Sequence, residues 1–189
     1  MVWASSMLTL DHRRKLLEIA RRSIEIHLEK GDNRSWPKDA PVDPRLEEHG
    51  AAFVTLTRDG NLRGCIGYSE PLYPLHETVA RCAVAAATQD YRFSSVTLDE
   101  LPDLHISVSA LTPLTKLKRT EDLEPGRHGL LITGEEHRGL LLPQVAAERG
   151  WDRERFLKET CLKAGLSGDA WKEGKVERFT FEADVMDEE

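Results

Sequence analysis

The chain has no apolar run long enough to cross a bilayer as a helix. It has no block of like charge long enough to form a tail, and its formal net charge is −7. That acidic balance disfavours general nucleic-acid binding, because backbone phosphates reward clustered Lys and Arg. Cysteine is scarce. Cys65, Cys82 and Cys161 are odd in number and far apart, so they form neither a disulfide framework nor a paired zinc-ligand pattern. The start, Met1 to Leu8, lacks a basic region followed by an apolar segment and does not read as a secretion signal. A reducing cytoplasm is the expected setting. A phosphate loop, a dinucleotide fingerprint, a nucleophile elbow and a zinc-protease motif are all missing. Internal repeats, low-complexity stretches and a clean domain linker are missing too.

What is present is an ordinary globular composition, 40% hydrophobic and 31% charged over 189 residues. That length suits one domain over residues 1–189 with a substantial core, or two small lobes sharing one. Leu16, Leu17, Ala20, Ile24 and Leu28 recur at helical spacing, predicting a helix from about Asp11 to Lys30 that Gly31 ends. Asp32 to Pro44 holds three prolines and reads as a connector or a lid. A hairpin follows, with strands from Ala51 to Thr57 and from Leu62 to Gly67 around Arg58-Asp59-Gly60-Asn61. Leu75 to Thr88 reads as a helix of small side chains that lies close to a sheet. Cys82 falls within it as a core residue. Leu104 to Leu111 alternates as a half-buried strand.

A second hairpin pairs Leu130–Thr133 with Gly139–Leu142 through a longer loop, Gly134 to His137. Pro143 starts a short helix through Glu148. Asp152 caps the next helix, Trp151 and Phe156 stand as its hydrophobic staple, and Gly165 ends it. Val176, Phe179 and Phe181 suggest a last strand. Without a regular β-α-β rhythm, the pattern predicts an α+β fold with a mainly antiparallel sheet, helices packed against it, and room for a smaller second lobe.

The most informative segment is Leu62-Arg63-Gly64-Cys65-Ile66-Gly67. Strand alternation puts Arg63 and Cys65 on one face, and a plain two-residue turn puts Val54 opposite Cys65. A nearby guanidinium favours thiolate, and glycines clear room for an approaching group. Cys65 is therefore either a thiolate nucleophile or a small residue packed in a hairpin. His128, in Arg127-His128-Gly129, is its candidate general base, or a loop histidine bonded to backbone. The remaining histidines are scattered, and no metal site is expected.

Asp90-Tyr91-Arg92-Phe93 ends the small-residue helix. Asp90 and Arg92 could clamp an anionic or planar ligand, or pair with each other while Phe93 anchors the loop. Gln144 opens a helix, where exposed N–H groups can receive an anion. Lys163 meets the dipole at the end of the following helix. Gly64 and Gly67 serve the site, or only turns and close packing.

The hexapeptide resembles the signature of the AMMECR-one family, and further blocks follow in the family's order. These are Ala52–Leu56, Asp90–Phe93, His105–Leu111, His128–Leu130, Gly139–Ala146 and Cys161–Leu166. The resemblance covers most of the chain. It makes the Cys65 position part of a signature and brings no established reaction with it; no cofactor is expected. It implies Memo-like and radical-SAM proteins as partners in a modification pathway, and regulatory roles have been suggested for the family.

Two functions are thus expected to compete. One is an enzyme using Cys65 on a small molecule, protein or RNA. The other is a binding or adaptor module whose signature hairpin builds a recognition surface.

Overall fold

The computed structural model describes residues 8–31 and 42–188. Most of the expected Asp32–Pro44 connector, with its candidate lid, lies outside those residues, and so do Met1–Met7.

Thr9 opens the first helix, α1 (Leu10–Lys30). Its side chain accepts from the His12 N–H, and His12 Nδ1 accepts from the Thr9 N–H. Gly31 closes the helix in the left-handed region, φ 62°. Asp59 and Gly60 both have positive φ, the requirement of a tight primed turn. They join β1 (Ala51–Arg58) to β2 (Asn61–Tyr68). The helix α2 spans Leu75–Thr88 and β3 spans Leu104–Leu111, as the periodicity predicts.

β1 pairs antiparallel with β2 on one side and with β3 on the other. Its inward residues Ala52, Val54 and Leu56 share one apolar cluster with Ile106 and Val108 of β3. Leu16, Ile19 and Ile24 of α1 and Val79 and Ala83 of α2 complete that cluster. The sheet buries a face, and each helix buries a stripe against it.

The chain forms two compact units: the first up to Leu111 and again from Asp184, the second from Thr112 to Ala183. The second unit holds β4 (Thr115–Lys116), β5 (Gly129–Gly134), β6 (His137–Leu141) and β7 (Glu177–Phe181), in the order β4-β7-β5-β6. Its ladders are antiparallel. Two helices, α3 (Pro143–Arg149) and α4 (Arg153–Lys163), belong to it. Asp152 caps α4 by accepting from the Arg155 N–H at 2.8 Å. Phe156 is fully buried in the second cluster and Trp151 packs against it, as a staple requires.

Two local expectations are corrected. Gly134 pairs with His137, so the second hairpin turns in two residues, Glu135 and Glu136, not through a longer loop. The final strand is also not the last. After β7 the chain continues into β8 (Ala183–Asp187), which pairs beside β3 in the first sheet, order β2-β1-β3-β8.

The β8 end is fastened by charge. Arg21 on α1 donates Nε and Nη2 to the two Glu188 carboxylate oxygens, both at 2.6 Å. The Ile106 N–H donates to Glu188 Oε2 at 3.0 Å. Arg21 also donates to the carbonyls of Leu101 and Leu104. Such bidentate pairs are the strong class of hydrogen bond. The architecture is α+β, and among the described residues no helix is long and apolar enough to cross a membrane.

Candidate functional site

The signature strand is not a plain partner of β1. Leu62 faces Thr57, but Gly64 faces Leu56, so Arg63 is the extra residue of a β-bulge. Beyond the bulge the register moves by one. Cys65 therefore stands opposite Thr55 rather than the expected Val54. The Thr55 hydroxyl donates to Cys65 Sγ at 3.3 Å. Gly64 is turned to α2, where an added Cβ would lie 2.1 Å from the Ala86 carbonyl oxygen. An added Cβ on Gly67 would enter the Phe53 ring. Both signature glycines thus hold close contacts within the first unit.

The bulge sends Arg63 sideways. Its Nε and Nη2 donate to the two Glu100 oxygens at 3.0 and 3.1 Å, and its Nη1 donates to the Ser94 carbonyl at 2.8 Å. Nη2 also reaches the Ser95 carbonyl. Every nitrogen of that guanidinium is engaged, and its side chain is only 14% exposed. Glu100 completes a capping box with Thr97. The Arg63 hydrogen bond and then the Thr97 N–H hold the Glu100 carboxyl down at about 2.

A depressed carboxyl contributes stability above its unfolded pKa and loses it as pH falls through its folded one. Glu100 should therefore contribute fully above about pH 4.3, with the contribution disappearing as pH falls to about 2. Glu100→Gln should cost on the order of 1 kcal/mol at pH 7 after solvent screening, and much less near pH 2. Urea unfolding at the two pH values measures this. An equal cost at both would show that the ion pair is not its source.

The guanidinium that shares a partner with Cys65 belongs to Arg92. Asp90 is buried just past α2. Its Oδ2 accepts from the Cys65 N–H at 2.9 Å and from Arg92 Nη2 at 2.7 Å. Its Oδ1 accepts from the Arg92 N–H and from Arg92 Nε. The Arg92 bonds keep the Asp90 carboxyl well below the usual carboxylate range, against the opposing effect of burial. In return Asp90 raises the Arg92 pKa. The Arg92 guanidinium lies 5.4 Å from the Phe93 ring centre. Asp90 and Arg92 thus pair with each other, and the same carboxylate holds the backbone of Cys65.

Two other sequence-derived site residues belong to the second unit. His128 is in the second unit, ahead of β5. Its Nδ1 accepts from the Glu124 N–H at 3.1 Å, which places the proton of the neutral ring on Nε2. Gln144 is the second residue of α3, also in the second unit, and its Oε1 is buried without a partner among the described residues. Cys65 is half-buried, whereas Cys82 and Cys161 are fully buried, and all three are free thiols. Burial pushes the Cys82 thiol up to about 12 and raises that of Cys161. Among the described residues no His, Cys, Asp or Glu group of three or more could hold a metal ion.

Sequence reasoning missed Thr55 and Glu100. The signal for Glu100 was present, since Thr97-x-x-Glu100 is the capping-box spacing. Thr55 had none, because its place opposite Cys65 depends on the bulge.

Residues 17–186 match the AMMECR1 family model. A protein of Methanothermobacter thermautotrophicus is 43% identical over 188 residues, which cover 96% of this chain and 97% of that protein. Protein PH0010 of Pyrococcus horikoshii is 42% identical over 184 residues, covering 92% of this chain and 88% of that protein. The crystal structure of PH0010, described there as an uncharacterized protein, matches this fold with a TM-score of 0.85 over 92% of this chain and 90% of that one. With this coverage and identity, the chain belongs to the AMMECR1 family.

Proposed function

We propose that this chain is an enzyme-like protein whose reacting group is the Cys65 thiol. It works in a cytoplasmic modification pathway alongside Memo-like and radical-SAM proteins, and residues 1–189 act as one domain. The family match, which crosses both units, supports the last point. One observation carries the proposal. A buried carboxylate, Asp90, fixes the Cys65 backbone and the Arg92 guanidinium on the same oxygen atom. A half-buried thiol is thereby carried on a backbone tied to the Asp90–Arg92 pair, and it accepts a hydrogen bond from the Thr55 hydroxyl. Unlike the buried Cys82 and Cys161, it is open to a reagent.

Iodoacetamide labelling of the folded protein, read by mass spectrometry, tests this. Cys65 should label at least ~10-fold faster than Cys82 or Cys161, whose buried thiols supply little thiolate. If Cys65 stays unlabelled until the protein unfolds, the thiol is a packing residue and the proposal fails.

A binding or adaptor role is the second reading, favoured by Tyr91. That side chain is 96% exposed on a loop pinned by Asp90 and Arg63. Tyr and Arg are residue types that dominate binding hot spots. Under that role, Tyr91→Ala would abolish partner binding while Cys65→Ser would not.

A further inference from the structure

We infer that β8 is a strap that opens as a unit of its own, held shut by two arginines of α1 rather than by the apolar core. The rest of the first unit keeps its fold when the strap is off. Nothing in this inference depends on Cys65.

The clasp has two points. Arg13 Nη2 meets Asp184 Oδ1 at 2.6 Å, and Arg21 holds both Glu188 oxygens at the other end. Arg13 and Arg21 are eight residues apart on α1, a rise of about 12 Å. Asp184 and Glu188 are four residues apart along an extended strand, about 13 Å. The two spacings match, so one helix grips the strand at both ends.

Little else holds β8. It lies at the edge of its sheet, with β3 as its neighbour. Met186 is what it gives to the buried apolar cluster, while Val185 is 38% exposed and Asp187 is exposed. A segment with so few buried apolar contacts belongs to the part of a fold that opens locally.

The closed clasp also leaves polar atoms unmet. Arg13 Nε and Asp184 Oδ2 are buried without a hydrogen-bond partner among the described residues. Water reaches both when the strap lifts, so opening recovers part of what it loses. At the other end Arg21 is fixed independently by the Leu101 and Leu104 carbonyls. It therefore stays in place to receive the Glu188 carboxylate again. The Ile106 N–H donates to Glu188 Oε2, and the Glu188 N–H donates to the Ile106 carbonyl. The Ile106 amide thus reports whether the strap is down.

The second unit is inserted between β3 and β8 along the chain. The strap is therefore the return of the chain from that insertion. Opening frees the return, while the outgoing chain stays in the sheet through β3, which β1 pairs on its other side.

Hydrogen exchange of the full chain near neutral pH, read at single residues by mass spectrometry, tests this. In the wild type the Ile106 amide and the amides of residues 184–188 should exchange at least ~100-fold faster than those of β1. Glu188→Gln should speed them by a further factor of about ten, the loss expected with a charged hydrogen bond, and leave β1 unchanged. Equal protection of the strap and β1 in the wild type overturns the inference, whether or not the variant folds. So does a Glu188→Gln protein in which β1 speeds up as much as the strap, because the two then open together. An Ile106 amide that Glu188→Gln leaves unchanged overturns it as well, because the clasp is then not what holds the strap.

Discussion

Gly64→Ala should lower the melting temperature by about 6–12 °C or prevent folding altogether. The new Cβ would lie 2.1 Å from the Ala86 carbonyl oxygen and 3.1 Å from its carbon. Those are backbone atoms inside α2, so no side chain can swing aside to admit the methyl group. Either β2 must lift from the helix, or the helix must move off the sheet that it shares a core with. Overpacking of this kind costs about 3 kcal/mol or more, and each kcal/mol shifts a chain of this size by about 2–4 °C. Gly31→Ala is the control. Gly31 has φ 62° but nothing within 4 Å of an added Cβ, so strain alone should cost about 1 kcal/mol. Thermal unfolding followed by circular dichroism separates the two. A Gly64→Ala protein melting within about 2 °C of wild type would show that β2 and α2 do not approach this closely.

Asp90→Asn should cost about 2 kcal/mol at pH 7, and the cost should shrink in acid. Four hydrogen bonds end on the two oxygens of Asp90. An asparagine keeps one oxygen and turns an NH2 group towards a donor, so at least one buried partner goes unmet. The Arg92 ion pair is lost with the charge. The sign of the pH dependence follows from the direction of the shift. Asp90 is held below the ordinary carboxyl range in the folded protein, first by Arg92. Its contribution is complete above about pH 4, where the unfolded carboxyl is ionised, and is lost as pH falls towards the folded value. Urea titrations of wild type and variant should therefore give a gap that is constant from about pH 7 to 5 and narrows below about pH 4. A gap that stays constant into acid would place the cost in shape rather than in charge.

Local rules made much of the chain legible. The apolar spacing of α1 and α2, the Asp-Gly turn, the Asp152 cap and the Trp151–Phe156 staple depend on residues within a few positions of one another. The physics that forms them is written in adjacent letters. The Arg63–Gly67 segment was legible as a place of interest for the same reason, since a thiol, two glycines and an arginine crowd five positions.

What surrounds that thiol was decided by the tertiary structure. A bulge at Arg63 moved the register by one, and with it exchanged Val54 for Thr55 opposite Cys65. Asp90 reaches the Cys65 backbone across 25 positions, and Glu100 reaches Arg63 across 37. Strand β8 pairs with β3, far away along the chain. None of these is encoded locally, because a single extra strand residue flips every later side chain, and a buried carboxylate takes whichever donors the packed chain brings to it. The sequence by itself determined the helices, the hairpins, the scarcity of thiols and the one strand worth attention. Only the folded chain decided which carboxylate holds the Cys65 backbone and which hydroxyl donates to the sulfur, because those partners meet through long-range packing rather than through spacing along the chain.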